Sequence, residues 1–274
     1  MEKLAKKIRL ETLKELQHLG FGHYGGALSI VEILAVLYEK HMRVFPNQPK
    51  SPDRDFLILS KGHGGPALYA TLAIKGFFPK EMLETLNQNG THLPSHPDCN
   101  LTPGVDMTTG SLGQGISAAA GIAYYHKTQG LPNQVYCILG DGELNEGQCW
   151  EAIQFIAHHE LSNLTIIVDD NKKQLDGWTK DISNPFDFVE KMKAFGLESE
   201  RVDGHDVYAL DRLIEKSKTN AKPFAIIMDT VKAKGVPLLE LKKDNHHIRP
   251  SQEEEEAIKT AIEKLEEELG YGIA

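Results

Sequence analysis

The sequence predicts an α/β fold, a mostly parallel sheet flanked by helices, and three observations carry that expectation. Short apolar runs recur along the 274 residues. The clearest of them stop at Gly, Asp or Asn. Between them lie stretches with apolar residues at helical spacing, the alternation that builds strand–helix–strand units.

Taken in order, residues 4–19 carry apolar side chains at helical spacing and predict a first helix. Ser29-Ile30-Val31-Glu32 reads as a capping box opening a second helix through about His41. Phe56-Leu57-Ile58-Leu59 reads as a buried strand, because it is short, apolar and followed by Lys61-Gly62-His63-Gly64-Gly65. Pro66 suits the first turn of a helix. Val135-Tyr136-Cys137-Ile138-Leu139 predicts a strand, Gly140-Asp141-Gly142 a turn, and residues 148–159 a helix. A second strand over residues 164–168 ends in Asp169-Asp170-Asn171. Such a unit implies parallel strands and a right-handed crossover. Residues 224–228 supply a further strand. From Ser251 the chain is acidic, with Ile258, Ile262, Leu265 and Leu269 on one helical stripe. The expected division is a domain over residues 1–250 and an acidic helical tail over 251–274.

Composition narrows the function. Thirty basic against 39 acidic residues give a net charge of −9, which argues against a dedicated nucleic-acid surface. No apolar run approaches the roughly 18 residues of a membrane span. The start, Met1 to Lys7, is charged and has no secretory apolar region. Cys99, Cys137 and Cys149 lack metal-ligand spacing, are expected to be buried, and suit a reducing cytoplasm.

In parallel sheets ligands bind beyond the carboxyl ends of the strands. The glycine-rich loop after Leu59, the turn after Leu139 and the Asp-Asn after Val168 all fall there. Two glycines let the backbone approach a ligand closely, and a following helix offers free amides to an anion. Asp141 brings a carboxylate and Asn171 a neutral oxygen, donors that suit magnesium or calcium with phosphate oxygens completing the shell. No dinucleotide glycine triplet and no Walker lysine occurs. Asp-Gly alone is more often a plain turn, so the weight rests on the joint placement of these groups.

The stretch from Gly140-Asp141-Gly142-Glu143-Leu144-Asn145-Glu146-Gly147 to Asn171-Lys172-Lys173 resembles the thiamine-diphosphate motif. Gly22-His23-Tyr24-Gly25-Gly26, Ser60-Lys61-Gly62-His63-Gly64, Ser95-His96-Pro97 and Gly110-Ser111-Leu112-Gly113-Gln114-Gly115 are similar, in order, to segments of the transketolase family. The resemblance covers residues from about 10 to 250.

It implies thiamine diphosphate with Mg2+ as cofactors, with Ca2+ or Mn2+ as substitutes for the ion. The implied metal ligands are Asp141, Asn171 and the backbone carbonyl of Lys173. The implied cofactor contacts are His63, Gly110, Ser111, Leu112, Gly140, Gly142, Glu146 and Leu175. Glu146 belongs to a subunit-contact network in the family, and Glu151 matches an acidic structural position. His23, His96 and His247 are the implied catalytic histidines, with His246 an open alternative to His247. Imidazoles titrating near neutrality can give or take the protons of ketol chemistry.

The resemblance further implies transfer of a two-carbon ketol unit from a ketose phosphate to an aldose phosphate, as in the pentose phosphate pathway. An unusual sugar, apulose phosphate or a sulfo-sugar, is the alternative. The α subunit of a 2-oxo-acid dehydrogenase fits less well, since it should lack the histidine segments. The activating glutamate is expected on a separate pyrimidine-binding C-terminal subunit, in an α2β2 heterotetramer. On that reading this chain is the N-terminal subunit of a split transketolase.

Overall fold

The computed structural model of the chain describes residues 1–271. Its central sheet has five strands, all parallel: β1 (Phe56–Leu59), β2 (Val135–Gly140), β3 (Leu164–Asp170), β6 (Glu198–Asp203) and β7 (Phe224–Asp229), in the order β1-β2-β3-β7-β6. A separate two-stranded antiparallel hairpin joins β4 (Lys173–Gln174) to β5 (Gly177–Trp178).

Strand side chains alternate between faces, and the alternation sorts the core into two apolar layers. Leu57, Leu59, Tyr136, Ile138, Ile167, Ile226 and Met228 pack on one face. That face is covered by α1 (Glu2–Leu19), α2 (Tyr24–Leu28), α3 (Val31–Val36), α4 (Gly65–Ile74) and α9 (Val207–Thr219). Ile58, Cys137, Leu139, Ile166, Val168 and Ile227 pack on the other, under α5 (Gln114–Thr128), α6 (Gly147–His158) and α8 (Phe188–Ala194). The short α7 (Thr179–Ile182) follows the hairpin, and α10 (Pro237–Leu241) follows β7. Both faces are dry, so every central strand is apolar on both sides.

The last helix, α11 (Gln252–Leu269), lies along α1. Its Ile258 and Ile262 join the same apolar layer as Leu4 and Ile8, and Lys6–Glu268 and Lys14–Glu266 pair across the contact. Residues 272–274 of the expected tail lie outside the described residues.

Two local expectations need correction. Ser29 and Glu32 form no capping box: the cap of α3 is Ile30, and the helix continues to His41 only by widening into a π turn over Leu37–His41. A wide last turn leaves backbone bonds less regular, but here it lets His41 reach Asp211 at 2.7 Å. The helix expected over residues 148–159 is α6, one residue earlier at each end, and a 3₁₀ turn over Gly142–Asn145 precedes it. Cys137 and Cys149 are buried, while Cys99 is only partly so, its sulfur accepting from Thr108 Oγ1 at 3.4 Å.

Candidate functional site

The loops beyond the carboxyl ends of β1, β2, β3 and β7 meet at one edge of the sheet. His23 stands at the centre of the mouth they form. Its ring centroid lies 5.5 Å from His96, 5.8 Å from His63, 5.4 Å from His246 and 4.9 Å from His247. The His63 and His246 rings lie 4.6 Å apart, tilted by 49°. Four distant segments thus deliver five imidazoles to one place. Both histidines of the Asn245-His246-His247 run reach it: His246 deeper, against His63, and His247 exposed at the rim against Phe21. A backbone bridge between Gly22 and Ile248, closed by bonds of 2.8 and 2.9 Å, holds that run beside His23.

Close approach explains two glycines. A Cβ on Gly26 would meet the His63 ring at 2.5 Å, and one on Gly62 would meet the Gly110 nitrogen at 2.7 Å. Burial pushes the His23 imidazole down to about 4, with His247, His96 and nearby lysines adding to it. Burial, then Lys232, pushes His246 down to about 3. Burial and the Lys61 charge also hold His63 well below the usual range, and burial lowers His96. These four rings are therefore neutral at pH 7 and able to accept protons or share them as hydrogen bonds.

Beneath the histidines lie the oxygen donors. The Asp141 backbone N–H donates to the Asp169 carbonyl at 3.2 Å, and its Oδ1 accepts from the Gly142 N–H at 2.8 Å. Its Oδ2 is buried with no protein partner. Burial, with Asp169 and Asp170 nearby, raises this carboxyl to about 7. Asn171 is buried at the end of β3, and its Oδ1 accepts from the Lys173 N–H at 3.1 Å. The Lys173 carbonyl accepts from Lys232 Nζ at 3.0 Å, and Lys232 also reaches His246 Nδ1 at 3.2 Å. Burial lowers the Lys232 ammonium to about 8. A carboxylate oxygen without a partner, an amide oxygen and a main-chain carbonyl are hard donors that suit a small divalent ion, provided an anion supplies further oxygens. Among the described residues no group of three or more His, Cys, Asp or Glu could hold a metal by itself.

Several supporting residues stand in the motif segments, but the sequence alone assigns them no role. Glu143, buried in the turn after Asp141, accepts from the Gly113 N–H at 2.9 Å, the Gly140 N–H at 3.1 Å and the Ser60 hydroxyl. It joins three of the loops that carry the predicted residues. Lys61 and Asp169 form a wholly buried ion pair below His63. Burial would raise the Asp169 carboxyl, but Lys61 and the hydroxyls of Ser29 and Thr230 hold it below the usual range. Only pairing in three dimensions reveals these roles.

The remaining predicted positions line the rim. Gly110, Leu112 and Gly142 are partly exposed, and Ser111 and Glu146 are exposed at loop ends. Glu151 is exposed on α6. Leu175 is 65% exposed at the tip of the β4–β5 hairpin, beside Trp178. Lys173 Nζ donates to the carbonyls of Glu240 and Lys242 and sits 4.8 Å over the Trp178 ring, so Leu241, 86% exposed, borders the same rim.

Known proteins match the chain in sequence and in fold. The family model for the thiamine-diphosphate-binding domain of transketolase matches residues 1–269. The chain is 48% identical over 266 residues to the 6-deoxy-6-sulfo-D-fructose transketolase subunit SqwG of Clostridium sp., covering 96% of this chain and 95% of that protein. It is 40% identical over 275 residues to an apulose-4-phosphate transketolase subunit of Actinobacillus succinogenes, covering 98% and 96%. The solved transketolase from Campylobacter jejuni superposes with a TM-score of 0.89 at 31% identity. That superposition covers 98% of this chain but 43% of the other.

Proposed function

This chain belongs to the transketolase family, as its thiamine-diphosphate-binding part, and from that premise we propose that it is the N-terminal subunit of a split enzyme. The partner is a pyrimidine-binding C-terminal subunit, in an α2β2 assembly. Two full-length relatives bear the name of subunits. The chain's own surface supports a partner too: Leu175, Trp178 and Leu241 leave a large apolar rim in water around the mouth. The setting is the cytoplasm, where three unpaired cysteines remain reduced.

The observation that carries the reading is the meeting of a buried, unpartnered Asp141 oxygen with a neutral histidine cluster at one sheet edge. Asp141, Asn171 and the Lys173 carbonyl would hold Mg2+, with Ca2+ or Mn2+ as substitutes. The amide of Gly142 and the side chain of His63 would hold the diphosphate. Gly110, Ser111, Leu112, Gly140, Glu146 and Leu175 complete the cofactor's surroundings. When bound, thiamine diphosphate supplies the electron sink for cleaving a carbon–carbon bond next to a ketone. His23, His96 and His247, or His246 in its place, would bind the sugar hydroxyls and pass protons as the ketol unit leaves and rejoins. The lowered proton affinity of His23 and His96 keeps those two neutral and able to do so.

The donor is a ketose with an anionic end. The pentose phosphate reading is the first choice, and the 48% identity to a sulfofructose transketolase subunit favours a second, an unusual sugar. Co-expression with a gene for a pyrimidine-binding subunit tests the proposal. The reconstituted complex should transfer the ketol unit from one of xylulose 5-phosphate, apulose 4-phosphate or sulfofructose, and the isolated chain from none. Turnover by the chain alone would refute the need for a partner.

A further inference from the structure

Asp169 touches more of the site than any residue to which a role has been given so far. Its side chain is wholly buried and meets four donors: the Lys61 ammonium, the Ser29 hydroxyl at 2.6 Å, the Thr230 hydroxyl, and the Asn171 amide nitrogen at 3.0 Å. Its backbone carbonyl receives the Asp141 N–H. The four donors come from the segments that carry His23, His63, Lys232 and Asn171 itself.

A carboxamide is nearly symmetric in shape, so packing alone cannot decide which end of Asn171 faces an ion. Asp169 can decide it. An ionised carboxylate only accepts, so it takes the nitrogen end of Asn171 and turns the oxygen the other way. That oxygen accepts one bond, from the Lys173 N–H, and keeps a second lone pair free.

We propose that Asp169 is a positioning residue that orients the Asn171 carboxamide, presenting its oxygen to the divalent ion and tying both glycine–histidine loops to that point through Ser29 and Lys61. The inference rests on the metal reading above. Asp169 does not touch the ion or the substrate. The competing view is that the Lys61–Asp169 pair only stabilises the fold, in which case the chemical identity of residue 171 would matter and its partner's would not.

An exchange of the two side chains separates these views. Asn171→Asp would ordinarily improve a magnesium-type site, since a carboxylate is the better ligand. Here it sets two carboxylates against each other, and Mn2+ affinity in the presence of thiamine diphosphate should fall about tenfold or more. Asp169→Asn should weaken it on the same scale, because the Lys173 N–H alone then selects the orientation of Asn171. The double variant D169N/N171D puts the carboxylate at the ion and an amide behind it, and should recover most of the loss.

The readout is Mn2+ binding by electron paramagnetic resonance on the complex with its partner subunit, with thermal melting as a check of folding. A double variant no tighter than either single one overturns the proposal. So does Asn171→Asp binding as tightly as wild type, an outcome that does not require D169N to fold. Asn171→Ala isolates the premise: unchanged Mn2+ affinity in that variant sinks the metal assignment itself, whereas loss there without recovery in the exchange sinks only the role of Asp169.

Discussion

Ser29-Ile30-Val31-Glu32 and Ser251-Gln252-Glu253-Glu254 carry the same local pattern, and the two regions use it differently. At the start of α11, Ser251 Oγ accepts from the Glu254 N–H while Glu254 Oε2 accepts from the Ser251 N–H at 2.8 Å. That is a reciprocal cap, with Ser251 exposed and Glu254 buried. Near α3 the same two residue types turn away from the helix: Ser29 donates to Asp169, and Glu32 pairs with Arg9 and with His205 at 3.1 Å. Local pattern wins where a competing partner leaves the cap bonds in place, as Lys242 does by taking the other Glu254 oxygen. Inside the core a buried cation or carboxylate outcompetes a helix end, because leaving a charge unpaired costs several kcal/mol and a cap contributes about one.

The sharpest way to break this comparison is Glu32→Ala. Arg9 is 7% exposed and also donates to the carbonyls of Leu28 and Lys234. Its charge would stay buried with only carbonyl partners. The isolated chain should lose about 3–5 kcal/mol in urea unfolding. A loss below about 1 kcal/mol would show that Glu32 behaves like an exposed cap residue after all.

Ser29→Ala comes next. It removes a hydrogen bond to a wholly buried carboxylate, and should cost about 2 kcal/mol. Because that carboxylate also holds Asn171, the change should additionally weaken Mn2+ binding in the reconstituted complex. An effect on stability alone would separate Ser29 from the site.

Glu15, on α1, supplies the converse. It is 2% exposed and neither carboxyl oxygen has a partner among the described residues. Burial, with Glu11 adding to it, pushes this carboxyl well above its ordinary 4.5. Its folded form therefore prefers the proton. Any stability tied to that preference is intact below 4.5 and is lost as pH rises. Glu15→Leu should stabilise the chain by about 1–2 kcal/mol at pH 7, with the gain shrinking toward pH 4. Equal gains at both values would mean that Glu15 is not buried as a neutral acid.

The same contrast explains what could be read from residue order. Strands β1, β2, β3 and β7 were legible because both faces are apolar. The edge strand β6, Glu-Ser-Glu-Arg-Val-Asp, was not, since only its neighbour β7 and tertiary contacts define it. The β4–β5 hairpin is two residues a side and leaves no periodicity to detect. At the site, His23, His63, Asp141 and Asn171 sit in glycine-rich or strand-end segments that announce themselves, and His96 is found through the family resemblance of Ser95-His96-Pro97. Glu143, Lys61 and Asp169 lie in those segments too, and Lys232 outside them, but their roles do not show, because each acts on at least one group far away in sequence. Their partners lie 30 to 108 residues off for Glu143 with Gly113 and Lys61 with Asp169.

Ser251→Ala should show the smallest effect, and it closes the comparison. The hydroxyl caps an 18-residue helix that begins with Glu253, Glu254 and Glu255, whose charges already favour the positive helix end. Lys242 also holds Glu254 at 2.6 Å, so part of the cap survives without the serine. The expected loss is about 1 kcal/mol or less, seen as a small shift of the urea midpoint with an unchanged slope. Mn2+ affinity in the complex should not move, since α11 packs on α1 rather than on the strand ends. If the same Ser→Ala change altered metal binding from here as it should from Ser29, the site would not be confined to one edge of the sheet, and the distinction between a local cap and a tertiary anchor would fail.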